Sequence, residues 1–382
     1  MPQPLPEILW LTFAFALGCC VGSFVNVVVG RLPLEKSLLW PNSRCLTCLH
    51  SLAVSDNLPI LGWLRRRGRC RFCGTKFSSR YMWVELACGL GFALIFYLDA
   101  IAHRQHMPIF QNAFALRVQG VPEWQAMVVF LHHVVLFSFL LAASLCDWDH
   151  RAIPLSLTVT GTLVGLASAT CFPWPWPNEL NVVSELRNPI VTPAGVRDRF
   201  WQLPSDVDPK AFPEGMYPWP VFGPLPDWLW DHRWALGLLT GLAGAAAGMI
   251  LLRAIKFMFD RGLGKEALGL GDADLMMLAG AFVGWQPVIV AFFVGTFVAL
   301  PLGIALKFGK RKDDYLPFGP GLALGVMITV YWWPWVGPAM HPIFFDSFMV
   351  ELAAGVLLGG LFLGSIALRA LGFGAEPAKA GA

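Results

Sequence analysis

Charged side chains are scarce in this sequence. They make up 14% of its 382 residues, against 56% hydrophobic residues, and the mean hydropathy is +0.58. Soluble domains carry roughly a quarter charged residues, so this scarcity excludes an ordinary soluble protein and favours a chain that lies mostly in a lipid bilayer. The net charge of +3 is too small and too dispersed to indicate a nucleic-acid partner.

Three common sequence signals are also missing. No basic segment precedes the first apolar run, so we expect no cleaved signal peptide. The glycines of segment 262–271 lack the G-x-G-x-x-G spacing and no strand pattern precedes them, which excludes a dinucleotide-binding loop. The sequence also lacks the internal repeat that many transporters contain.

Long apolar runs dominate the sequence that remains. A helix needs about 20 mostly apolar residues to cross a bilayer. Eight candidate spans approach or meet this length: 8–29, 82–101, 126–146, 155–172, 234–255, 287–306, 316–335 and 350–371. A ninth segment, 273–285, is too short to span comfortably, so we expect a short or partly unwound helix surrounded by protein. The sequence predicts an all-α polytopic membrane bundle of eight or nine segments.

The basic residues predict how this bundle is oriented. Segment 31–80 contains ten lysines and arginines but only two acids, Glu35 and Asp56, and loops of this kind remain in the cytoplasm. Counting crossings then places the Pro- and Trp-rich segment outside. The resulting divisions are a first helix at 1–30, a cytoplasmic loop at 31–80, helices at 81–172, an outer loop at 173–233, helices at 234–373 and a tail at 374–382.

Four of the nine cysteines form two C-x-x-C pairs in the basic loop. Cys45 and Cys48 are followed, after 21 residues, by Cys70 and Cys73. Four thiolates can close a tetrahedral site with no open position, which is typical of structural zinc. The alternatives are free cytosolic thiols or a redox dithiol, but a redox dithiol needs only one pair.

Two pairs of aspartates lie where a loop meets a membrane segment. Asp147 and Asp149 follow the third span, and Asp272 and Asp274 open the short ninth segment. Acids at such places are costly and indicate function. Two carboxylates within hydrogen-bonding distance share a proton and can activate a water molecule for attack on a peptide carbonyl. Either pair alone could equally be a set of solvated interfacial acids.

Other residues in these segments have less specific interpretations. Gly269 and Gly271 would let the backbone bend sharply beside the second aspartate pair and approach a substrate strand. His132 and His133 have no acid nearby in the sequence, so we expect interior packing rather than metal ligation. Glu85 would either extend to the membrane interface or line a cavity.

Several ordered motifs resemble those of the bacterial type IV prepilin leader peptidases, and together they cover nearly the whole chain. The motifs are G-S-F-V-N-V-V-V-G-R-L-P at 22–33, the two cysteine pairs with N-L-P-I at 57–60 between them, S-R-Y at 79–81, G-L-G-D at 269–272 and G-A-F-V-G-W at 280–285. The resemblance implies that Asp147 and Asp272 are the catalytic aspartates of a G-x-G-D membrane protease. Gly269, Gly271, Asp149 and Asp274 then support the active site, and Cys45, Cys48, Cys70 and Cys73 bind the zinc.

The resemblance also implies the substrates and a second reaction. The substrates would be type IV prepilins or type II secretion pseudopilins, cleaved near the cytoplasmic face of the bacterial inner membrane. The new N-terminus would then be methylated with S-adenosylmethionine, although no residue in the sequence indicates where this donor binds. Three residues depart from the family pattern, which bears on substrate choice: Leu46 replaces a proline, Asp274 a lysine and Leu155 an acid.

Three alternatives remain at the level of the sequence. The first is a G-x-G-D intramembrane protease for another substrate class, such as preflagellins. The second is a transporter, which would need acids deep in several spans and usually has paired halves. The third is an assembly factor with a zinc loop and no enzymatic activity.

Overall fold

The computed structural model describes residues 5–102, 104, 116, 120–122, 124–172, 228, 232–263, 269–308, 318–344 and 347–370. In these residues the protein is helical, and β-structure is limited to two isolated bridges in the basic loop. The predicted all-α class is therefore confirmed. Most of the predicted outer loop 173–233 and the whole predicted tail 374–382 lie outside the described residues. The chain divides into two compact units, Met1–Leu157 and Thr158–Ala382.

The described residues of the first unit contain three long helices and one short helix. They are α1 Leu5–Arg31, α2 Leu61–Arg66, α3 Arg80–Phe96, which continues as a π-helix over Tyr97–Ile101, and α4 Trp124–His150. The basic loop, residues 32–79, connects α1 to α3 and contains α2.

Helices α1 and α3 cross in close contact because two glycines one turn apart face the crossing. A Cβ atom added at Gly18 would lie 2.7 Å from the carbonyl oxygen of Cys88, and one added at Gly22 would lie 2.8 Å from the Cys88 Cβ. Small residues at this spacing let helix backbones approach within a membrane. Further along the same crossing, the Asn26 side-chain amide donates a hydrogen bond to the Tyr81 carbonyl at 3.0 Å.

The second unit contains the remaining helices. They are α5 Leu155–Cys171, whose first turn belongs to the first unit, α6 Arg233–Leu263, α7 Leu270–Val283, α8 Trp285–Phe308, α9 Gly319–Phe344 and α10 Ser347–Ala370.

Helix α7 is the predicted short helix, and it forms the centre of the second unit. It has 14 residues in regular α-helical geometry rather than a partly unwound conformation, and most of them are buried. It begins at Leu270 and ends at Val283, and the capping residue Gly284 has a φ of 84°, which favours glycine. A Cβ atom at Gly244 of α6 would overlap the Gly280 carbonyl of α7, so these two backbones are in direct contact.

Five described helices are long and apolar enough to cross a membrane by length and composition. They are Leu5–Leu34, Arg80–Ile101, Ala126–His150, Trp234–Gly262 and Phe348–Ala367; Leu155–Cys171 and Trp285–Pro301 are apolar but shorter. The total of eight or nine segments stays a prediction. Three helices continue four or more residues past the ends of their predicted spans, α4 to His150, α6 to Leu263 and α9 to Phe344.

Candidate metal centre and catalytic aspartates

The four cysteines of the basic loop converge on one point. Their sulfur atoms all lie within 4.8 Å of one another. The Cys45 and Cys73 Sγ atoms are 3.7 Å apart, and those of Cys48 and Cys70 are 3.8 Å apart. Four sulfurs placed tetrahedrally at ~2.3 Å from a zinc ion are separated by roughly 3.8 Å, so the donor set and its spacing fit zinc. The described residues contain no other cluster of three or more such ligands.

Each cysteine pair lies in the same type of turn. In the first, the Cys45 N–H donates to the His50 carbonyl and the Leu49 N–H donates to the Cys45 carbonyl, both at 2.9 Å. In the second, Cys70 bonds to Thr75 and Gly74 to Cys70 in the same pattern. These local bonds place both thiols of each pair on one side of its turn, which is why C-x-x-C spacing predicts the site well.

The turns also prepare thiolates for a cation. Backbone N–H donors of Cys48 and Thr47 lower the pKa of Cys45, and hydrogen bonds from the Thr75 hydroxyl and N–H lower the pKa of Cys73 to about 6. At Cys48 the backbone hydrogen bond from His50 is outweighed by burial and the neighbouring thiols, so its pKa rises to about 12. A metal ion binds the thiolate form, so the hydrogen-bond donors at Cys45 and Cys73 favour the binding of a cation.

Glu85 connects the loop to the bundle. Its side chain is buried on α3, and its Oε2 accepts a hydrogen bond from the Ile60 N–H at 2.7 Å. Ile60 immediately precedes α2, so the carboxylate fixes the start of that helix against α3. The sequence left two positions for Glu85, the membrane interface or a cavity. In the structure the side chain is buried, and it bonds to the backbone of the loop.

The first aspartate pair lies in the last turn of α4. Asp147 is buried, with 3% of its surface exposed. Asp149 is partly exposed and forms an ion pair with Arg80, the first residue of α3. The next residue, His150, bonds through Nε2 to the Val29 carbonyl of α1 at 3.1 Å. These contacts fix the end of α4 against both neighbouring helices.

The second pair lies in the first turn of α7. Asp272 is buried, and the partial positive charge of the helix N-terminus stabilises a carboxylate there. Asp274 lies 3.5 Å from the Arg253 guanidinium of α6. In both pairs, therefore, the first aspartate is buried and the second contacts an arginine.

The two glycines before Asp272 do not produce a sharp bend. Gly269 caps α7 with φ −73° and ψ 146°, an extended conformation that any residue can adopt, and Gly271 lies inside the helix. A Cβ atom at Gly269 would lie 3.8 Å from the Asp272 Oδ2. This is an ordinary van der Waals distance, so neither the backbone conformation nor the space beside the carboxylate requires a glycine at position 269.

Each aspartate pair is described within its own unit, since Asp147 belongs to the first and Asp272 to the second. Their action as one dyad stays a prediction.

The sequence analysis missed a buried acid. The Nδ1 atom of His133 lies 2.8 Å from the Oδ2 of Asp99, and both side chains are almost completely buried. Asp99 lies in the π-helix that follows α3, 34 positions before His133. The interior placement of His132 and His133 is confirmed, but His133 does have an acidic partner. The sequence did contain one signal of this pair, because Asp99 lies inside a predicted span, where an acid is costly and indicates function.

Known protein families match two parts of the chain. Residues 16–99 match the bacterial peptidase A24 N-terminal domain, and residues 228–304 match the type IV leader peptidase family. The prepilin leader peptidase/N-methyltransferase of Myxococcus xanthus (strain DK1622) is 30% identical over 311 residues, which is 80% of this chain and 67% of that protein. The chain belongs to the type IV leader peptidase family.

Further relatives extend the match. The prepilin leader peptidase/N-methyltransferase of Stutzerimonas stutzeri is 26% identical over 344 residues, covering 84% of this chain and 89% of that protein. The type 4 prepilin-like proteins leader peptide-processing enzyme of Escherichia coli O78:H11 is 26% identical over 332 residues, covering 82% and 91%. No solved structure matches the chain. The family consists of aspartic peptidases, so the chain is an enzyme of that class.

Proposed function

We propose that this protein removes leader peptides from type IV prepilins and type II secretion pseudopilins, with Asp147 and Asp272 as its catalytic aspartates. The observation that carries the proposal is that the G-x-G-D aspartate, Asp272, is buried in the first turn of a buried helix in a chain of this peptidase family. A carboxylate that is buried at a helix N-terminus is more typical of a functional site than of a solvated surface acid.

The proposed reaction is hydrolysis by a water molecule activated between two carboxylates. One aspartate, ionised, accepts a proton from the water as it attacks the scissile carbonyl. The other, protonated, donates to the departing amine, and the two exchange roles for the next cycle. Asp149 and Asp274 contact Arg80 and Arg253, so we assign them a supporting role rather than the chemistry.

The four-cysteine site is proposed to hold a structural zinc ion. Its role is to stabilise the basic loop, because four thiolates leave no open position for a substrate or a water molecule. The loop in turn contacts α3 through the bond between Ile60 and Glu85.

A second activity is proposed from the family alone. Relatives carry the name of N-methyltransferase, and this chain would use S-adenosylmethionine to methylate the N-terminus that cleavage exposes. We assign no residues to the binding of this donor.

The proposed location is the bacterial inner membrane, with segment 31–80, which contains the basic loop, in the cytoplasm. The membrane-length helices support a multi-pass protein, and the excess of basic residues supports the orientation. The leader of a prepilin would then reach the aspartates from the cytoplasmic face, while its apolar helix stays in the bilayer.

One incubation tests both activities. Purified protein is mixed with a full-length prepilin and radiolabelled S-adenosylmethionine, and the product is analysed by mass and by label. We expect a shortened prepilin that carries the label at its new N-terminus. Intact prepilin together with cleavage of a preflagellin would favour the other substrate class, and no cleavage of either substrate would contradict the proposed function.

A further inference from the structure

The basic loop has a surface that neither zinc binding nor catalysis explains. A cleft in it is lined by Ser55, Arg65, Arg66, Arg69, Cys70 and Arg71. Asp56 pairs with Arg66 and, at 3.5 Å, with Arg65. The only other acid in segment 31–80 is Glu35, against ten basic residues, so Asp56 offsets part of the charge of the cleft's arginines and the cleft keeps a net positive charge.

Exposed apolar side chains lie beside this cleft. Leu58, Leu61 and Leu64 are 46%, 64% and 52% exposed, and the two last lie one turn apart on α2. On a water-exposed loop such leucines would be unfavourable, whereas they suit the boundary between headgroups and acyl chains. A surface that combines exposed leucines with arginines suits an anionic membrane boundary, because the apolar groups can enter the interface while the cations contact the headgroups.

The hydrogen bond between Ile60 and Glu85 places this surface at the level of the membrane boundary. The span Arg80–Ile101 has 22 residues, about 33 Å of helix, which is close to the ~30 Å hydrocarbon thickness. Glu85 lies five residues, or roughly 7 Å, from the start of this helix. Ile60 is bonded to it at 2.7 Å, so the leucines around Ile60 lie near the headgroups.

We propose that the basic loop docks on the anionic leaflet of the membrane, with the arginine cleft binding a phospholipid headgroup phosphate and the leucines of α2 entering the interface. Arginine donates to phosphate oxygens in bidentate geometry, which suits this ligand better than a zwitterionic headgroup with its own cation. Docking would hold the zinc-binding loop at the surface where a leader peptide leaves the bilayer.

Photo-crosslinking on the full-length, zinc-loaded protein tests the proposal. Nanodiscs of phosphatidylcholine are doped with a photoactivatable phosphatidylglycerol or, in parallel, a photoactivatable phosphatidylcholine, and labelled peptides are mapped. We expect the phosphatidylglycerol probe to label segment 58–71 about tenfold more strongly, since each arginine near an anionic surface contributes about a fivefold gain in affinity.

Variants identify the groups responsible. Arg69→Gln with Arg71→Gln should reduce labelling of segment 58–71 by about tenfold or more, and Leu61→Gln with Leu64→Gln should also reduce it. Lys36→Gln, which removes an exposed charge of the same loop outside the cleft, should leave labelling unchanged. Zinc content is measured in each variant. Arg69 and Arg71 flank Cys70, so the double variant could lose zinc. In that case the single variant Arg65→Gln is used instead.

Three results would overturn the proposal. Equal labelling by the two probes would show that headgroup charge is not recognised. Unchanged labelling of segment 58–71 in the double arginine variant would show that the cleft does not bind the headgroup. Full labelling of the leucine variant would show that α2 does not enter the interface.

Discussion

The four thiols of the basic loop already have the spacing that a zinc ion requires. We expect elemental analysis of the purified protein to find about one zinc per chain. Cys70→Ser should lose the metal and loosen the loop, since it removes one of the four thiolates that would join the two turns through the ion. Because the ligands bind as thiolates, acidification should release the ion as protons compete for sulfur. Cys20→Ser, outside the cluster, should retain the full equivalent.

Glu85 provides a second test at a single residue. Replacing it with alanine leaves the Ile60 N–H without its acceptor, which costs about 1–3 kcal/mol where the group is buried. We expect faster hydrogen exchange in α2 of the Glu85→Ala protein and little change in Glu85→Gln, whose amide oxygen can still accept. The zinc content should stay the same in both. Equal exchange in the alanine variant and the native protein would mean that this bond does not hold the loop.

Single residues differ in how well the sequence predicts their partners. The zinc site was predicted because each turn is local and two C-x-x-C pairs need only one long-range contact. The pair of Asp99 and His133 is not predicted, because these residues lie 34 positions apart on different helices and nothing local indicates that they face each other. The arginine partners of Asp149 and Asp274 were missed for the same reason.

Among the helices, the crossing of α6 with α7 is the contact most sensitive to side-chain size. An alanine at Gly244 would place its Cβ on the Gly280 carbonyl, so the helices must separate. We expect Gly244→Ala to lower the thermal stability of the second unit and, by moving the helix that carries Asp272, to slow cleavage at least tenfold. A thermal shift assay and the prepilin assay measure the two effects.

Helix α10 offers the matched control. A Cβ atom at Gly359 would meet nothing within 4 Å, and alanine favours a helix over glycine by roughly 1 kcal/mol. Gly359→Ala should therefore keep full activity and be slightly more stable. A Gly244→Ala protein as stable and active as Gly359→Ala would contradict the close crossing.

The limits of helices show what hydropathy can and cannot predict. Apolar runs gave the existence and the order of the helices, because a bilayer requires such runs. They did not give the ends, since α4 and α6 continue into polar sequence as far as His150 and Leu263. Helical hydrogen bonding continues beyond the hydrocarbon wherever neighbouring helices support it. The regular geometry of α7 was likewise unpredicted, because it depends on burial among other helices.

For the whole molecule, the distribution of basic residues predicts sidedness. His232→Cys, exposed just before α6, should react with an impermeant maleimide in intact cells when Cys171, also exposed, is replaced by serine. Lys36→Cys, in the basic loop, should react only after the membrane is made permeable. The reverse labelling pattern would invert the predicted orientation and place the aspartates at the other face of the membrane.

The proposed function depends on a proposed catalytic dyad, Asp147 and Asp272, which involves both units of the chain. Its two members lie in different units and far apart in sequence, so spacing alone cannot pair them. Local features distinguish each from its neighbour, because Asp147 and Asp272 are buried while Asp149 and Asp274 contact arginines. Only the family resemblance implies that the two buried aspartates act in one reaction, and this stays a prediction.

Prepilin cleavage by four asparagine variants, each purified and confirmed to bind zinc, decides between these aspartates. Asp147→Asn and Asp272→Asn should each slow cleavage about a hundred- to ten-thousandfold, because each removes a carboxylate that carries a proton in the reaction. The double variant should be little slower than either single one, since the two groups act as a unit. Asp149→Asn and Asp274→Asn should still cleave. Full cleavage by Asp272→Asn, or loss of cleavage in Asp149→Asn while Asp147→Asn remains active, would show that the catalytic pair is a different one.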